Sequence, residues 1–183
     1  QRYGLTPTAL SSLLADDVLA RRITTNDLVS AAKAGELDPT YQRAELMREL
    51  LNLLGLASWR HVMLLGPAGV GKRSLVQSLA LLIADGKGPQ GLGKVVQIGE
   101  SALLDDAAAA VQAGLRQAAG GVLFLPNIQR FFGGIARAEF PKATRLVQKA
   151  LLETDVVIIG STTEADYNER MASDSALAEH RAA

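Results

Sequence analysis

Gly66-Pro67-Ala68-Gly69-Val70-Gly71-Lys72-Arg73-Ser74 brings together the residue types that hold a phosphate. A glycine-rich turn that opens a helix aims successive backbone N–H groups at one point, where an anion supplies the partners those donors lack. Lys72 adds a mobile ammonium able to reach the outer oxygens of a polyphosphate. Arg73 stands where this spacing normally carries a hydroxyl for Mg²⁺. A guanidinium only donates and never coordinates a cation. It either pairs with phosphate oxygens in the metal's place or turns to solvent. Ser74 offers a hydroxyl one residue later, about 100° further round the helix, which is a poor substitute. The stretch reads as a cradle that holds phosphate, with Mg²⁺ weakly bound or excluded.

Phosphoryl transfer needs more than a cradle. It needs acids at the end of another strand and a polar group facing the terminal phosphate. After the apolar run Gly121-Val-Leu-Phe-Leu125 those acids are replaced by Pro126 and Asn127. Proline offers no ligand, and an amide can hydrogen-bond a water but cannot take its proton. A polar sensor is present: Gly160-Ser-Thr-Thr163 closes a fourth apolar run, and Thr162 or Thr163 is the candidate. Thr163, followed by Glu164 and Asp166, also has the pattern of a helix N-cap. His61 borders a strand and His180 lies on a final helical stretch.

The elements that must position these groups follow from periodicity. Strand-like runs at 61–65, 94–98, 121–125 and 155–160 alternate with helical patterns at about 71–84, 102–119, 139–153 and 164–182. Such alternation predicts a parallel sheet in an α/β sandwich, with ligands at the carboxyl ends of the strands. Residues 1–36 read as short helices, Thr25–Ala34 among them, ended by Gly35. A further helix is expected over about Gln42–Leu54. The predicted division is a helical segment over 1–36 and the α/β body over 37–183.

Composition narrows the partners. Lys+Arg and Asp+Glu are both 19 of 183 residues, so no global field favours nucleic acid or an anionic membrane. Aromatics are 4%, too few for a base-stacking platform. Cysteine is lacking, which removes disulfides and thiolate metal sites. No apolar run reaches membrane-span length. Without an initiator Met or a secretory leader, the sequence reads as part of a longer cytoplasmic protein.

Taken in order, these motifs resemble the Clp/Hsp100 branch of the AAA+ ATPases, specifically its first ATPase module. The resemblance runs from about Ala31 to Arg181. Its carriers are Ala34-Gly-Glu-Leu-Asp-Pro39, Gly66–Lys72, Gly133-Gly134, Ile159-Gly-Ser-Thr-Thr-Glu-Ala-Asp-Tyr167 and Asp174-Ser-Ala-Leu177. It implies a P-loop three-layer sandwich, ATP or ADP as ligand, ring assembly with other protein subunits, and polypeptide threading. It also marks the departures. The loop Thr becomes Arg73, and the catalytic Asp-Glu pair becomes Pro126-Asn127. The paired arginine fingers become Glu179-His180, with Arg181 out of register. The adenine-contacting V-I-G-R becomes Thr40-Tyr-Gln-Arg43. The aromatic pore loop shrinks to Ser101–Ala109 without Tyr, and the fifth strand and helical lid are missing. The leading expectation is a degenerate module that binds ATP or ADP and serves interaction or assembly. A working ATPase and a protein-binding scaffold with a vestigial site stay open as alternatives.

Overall fold

The computed structural model describes residues 25–38, 43–57, 60–134, 139–153 and 155–174. The strands are β1 (Thr25–Asp27), β2 (Val62–Leu65), β3 (Val95–Ile98), β4 (Val122–Pro126) and β5 (Val157–Thr162). They form a single sheet in the order β1-β3-β4-β5-β2. β2 to β5 run parallel, so their carboxyl ends share one edge of the sheet. β1 is antiparallel to β3, pairing Thr25 with Ile98 and Asp27 with Val96.

Alternating side chains on β4 divide the interior into two cores. Val122 and Phe124 face one, Leu123 and Leu125 the other. The first is covered by α1 (Leu28–Lys33), α2 (Ala44–Leu54) and α3 (Lys72–Ala84). They contribute Leu28 and Val29, then Met47, Leu50 and Leu54, then Val76 and Leu79. The second is covered by α4 (Glu100–Asp105), α5 (Ala107–Gln117) and α6 (Pro141–Leu152). Helix, sheet, helix is the expected three-layer sandwich. Every residue of β4 is buried, as a central parallel strand requires.

The structure corrects the sequence reading in four places. Residues 25–34 are not all helix: Thr25–Asp27 add an antiparallel strand before α1 begins. Thr-Asn-Asp has weak strand propensity, and tertiary pairing overrides it. The stretch 102–119 is not one helix. It breaks at Asp106, whose side chain accepts the Ala109 N–H (3.0 Å) and caps α5. The fourth parallel run extends to Thr162, so Ser161 and Thr162 belong to β5 itself. The helix expected over 164–182 is irregular within the described residues. α7 (Glu164–Asp166) passes into a π turn over Tyr167–Met171. The helices expected before Thr25, the Thr40–Gln42 segment and Glu179, His180 and Arg181 lie outside the described residues.

Candidate functional site

The glycine loop leaves β2 and enters α3 at the carboxyl edge of the sheet. Gly66, Gly69 and Gly71 take φ of 152°, 77° and 97°. Side-chain-bearing residues rarely adopt these angles, which explains glycine at each. Gly71 is also the N-cap of α3 and supplies no side-chain cap. The first turn of this 13-residue helix therefore has no side-chain acceptor from its cap residue.

The loop's cations are held by the protein itself. Lys72 Nζ donates to the carbonyls of Gly66 (2.6 Å) and Pro67 (2.9 Å). Arg43, just before α2, donates from Nη2 to the Val70 carbonyl (2.8 Å). Arg73 does not turn to solvent alone. Its Nη2 pairs with Glu100 Oε1 at 2.7 Å, with both side chains half exposed. Glu100 follows β3 by two residues, so the parallel sheet brings it to the same edge. Its place just after a predicted strand was the available signal, and sequence reasoning passed over it. Arg43 was read only as the end of a departed motif, and here it is a direct contact of the loop.

The two threonines separate. Thr163 Oγ1 accepts the Asp166 N–H (3.1 Å) and donates to Asp166 Oδ2 (2.8 Å), so it is the N-cap of α7. Thr162 is 2% exposed, and its hydroxyl has no hydrogen-bond partner among the described residues. It pairs in register with Leu65, the residue immediately before Gly66. Pro126 ends β4 opposite Ser161. Asn127 follows with φ 53° and ψ 45°, and it turns the chain into the 3₁₀ segment Ile128–Phe131. Two residues on, Gln129 Oε1 is also buried without a partner.

Beside the loop lies a cavity of about 200 Å³ between α2, β2 and α3, lined mainly by aliphatic side chains such as Leu46, Leu50 and Leu75, with Arg43, Glu49 and Lys72 also on its wall. At the other end of β2, His61 Nδ1 accepts the Ile158 N–H (2.9 Å). This extends the β2–β5 pairing by one side-chain bond.

Four parallel strands sandwiched by helices, with a glycine loop joining one strand to a helix, form the architecture of a P-loop module. The chain is homologous to a segment of the ClpB/Hsp104 chaperones within that class. It is 30% identical over 189 residues to the chaperone protein ClpB of Rhodopseudomonas palustris, covering 97% of this chain and 21% of that protein. Its fold matches S. cerevisiae Hsp104 in an extended complex with casein, with a TM-score of 0.69 and 23% identity over 86% of this chain and 28% of that one. It also matches a closed state of Hsp104 with ATPγS and FITC-casein, at a TM-score of 0.66 and 23% identity over 80% of this chain and 27% of that one. No family model matches the sequence. The chain thus spans roughly a fifth of the curated relative's length. Among the described residues, no helix is long and apolar enough to cross a membrane.

Proposed function

We propose that this module binds ATP or ADP without hydrolysing it and acts as an assembly or interaction domain toward other protein subunits. The observation that carries this reading is a division at one sheet edge. The parts that hold phosphate are present, and the parts that act on it are replaced. Gly66 to Gly71 form an open cradle with Lys72 beside it. The unpaired, buried Thr162 hydroxyl supports the same reading. Leaving it unmet costs about 1–3 kcal/mol, which an oxygen of a bound ligand would offset. The residues present therefore fit a nucleotide. The loop amides, Lys72 and Thr162 would hold its phosphates, and the apolar cavity beside Val70 would take its base. When bound, the nucleotide supplies negative charge that ties these elements together.

The same residues do not fit a catalytic metal. Arg73 offers donors only, Pro126 has no side-chain oxygen, and Asn127 cannot accept a proton from water. No hydrolytic step follows from them. The homologous segment lies in proteins one of which is seen with ATPγS and casein. That makes nucleotide and protein partners the reasonable ligands to test.

Calorimetric titration with ATP and ADP, with and without Mg²⁺, tests binding; a phosphate-release assay tests turnover. Binding that survives EDTA, with phosphate release at background, is expected. Lys72→Ala should weaken that binding at least about tenfold. Turnover abolished by Lys72→Ala would reverse the reading, and no binding at millimolar nucleotide would remove it.

A further inference from the structure

We infer that Glu100 is an internal competitor for the phosphate site, holding Arg73 when no anion is bound and yielding it to the phosphate oxygens of a metal-free nucleotide. The inference rests on the nucleotide reading above and names its regulator. Arg73 is the second residue of α3, on the turn that opens from the glycine cradle. Its guanidinium pairs with a carboxylate at 2.7 Å while remaining half exposed. A carboxylate and a phosphate present the same chemistry to a guanidinium, a pair of anionic oxygens in a plane. One Arg73 fork cannot serve both fully. Lys72 differs: among the described residues its partners are the neutral carbonyls of Gly66 and Pro67. A ligand at this edge is independently indicated by the buried, unpartnered Thr162 hydroxyl level with the start of the loop.

The strength of the competitor follows from exposure. Both partners are about 51% exposed, so water screens the pair and its contribution is that of a surface ion pair. The gate therefore modulates affinity and does not block it. Removing the Glu100 charge should tighten binding about two- to fivefold. Local negative charge alone would also repel phosphate, so a double-mutant cycle is required.

The experiment is calorimetric titration of the full chain with ATP in EDTA, using the wild type, Glu100→Gln, Arg73→Gln and the double variant. Thermal unfolding of each verifies that it is folded. Glu100→Gln is expected to bind about two- to fivefold tighter. Arg73→Gln should bind about tenfold weaker, and Glu100→Gln should then add nothing in that background. Unchanged affinity in Glu100→Gln overturns the inference and leaves the nucleotide reading standing. An equal gain with and without Arg73 overturns it too, because the effect is then general repulsion. No binding by either the wild type or Glu100→Gln overturns the inference together with the reading beneath it.

Discussion

Asn127 sits at φ 53° immediately after β4. Left-handed backbone costs a Cβ-bearing residue about 1–2 kcal/mol, and Asn bears it better than most. Asn127→Ala should therefore lose about 1 kcal/mol in denaturant unfolding, while Asn127→Gly stays near neutral. The same geometry means that installing Glu at 127 would meet strain before any chemistry. Arg73 is the second residue at which the proposed function can be tested by side-chain type. Arg73→Thr restores a hydroxyl that can face Mg²⁺ and frees Glu100. On the proposed function, nucleotide affinity should be insensitive to Mg²⁺ in the wild type and rise about tenfold with Mg²⁺ in the variant, close to 1.4 kcal/mol. Titrations at fixed ATP with and without the ion measure this, and an unchanged affinity would refute the role given to Arg73.

Helix α5 shows how closely the elements meet. A Cβ at Gly114 would stand 2.8 Å from Ile98 Cδ1 and 3.0 Å from Leu123 Cδ1. In an exposed helix, Gly→Ala gains about 1 kcal/mol from propensity. Here both neighbours are fully buried, and overpacking costs about 1–3 kcal/mol. Packing wins, so Gly114→Ala should lower the melting temperature rather than raise it. Much at this scale was legible in sequence. The apolar runs give β2 to β5 to within a residue or two, and most plainly β4 and β5, because fully buried parallel strands leave little choice of residue type. The cradle was legible because φ above zero demands glycine. β1 was not legible, since Thr25-Asn26-Asp27 owes its strand state to Val96–Ile98 and to the contact of the Thr25 hydroxyl with Gln117. The Arg73–Glu100 pair was legible only in part: the place of Glu100 after β3 was a signal, but 27 residues separate partners that the sheet's parallel order brings together.

For the molecule as a whole, the two cores share the strands of one sheet, so the loop's position depends on elements far from it. Asp27 ends β1 and, by accepting the Val29 and Ser30 N–H groups, begins α1 without an intervening residue. α1 in turn buries Leu28 and Val29 in the core that seats Val76 and Leu79 of the loop's helix α3. The chain has no slack at this corner. One glycine inserted between Asp27 and Leu28 would turn α1 by about 100° and carry Leu28 and Val29 off the core. We expect a loss of about 3 kcal/mol or more. The same insertion between the exposed Gln90 and Gly91 lengthens a surface connection and should cost less than about 1 kcal/mol. Chemical denaturation of the two insertion variants checks the contrast. Chain length at residue 27 is thus as tightly set as residue identity in the cradle, though no atom there touches a ligand.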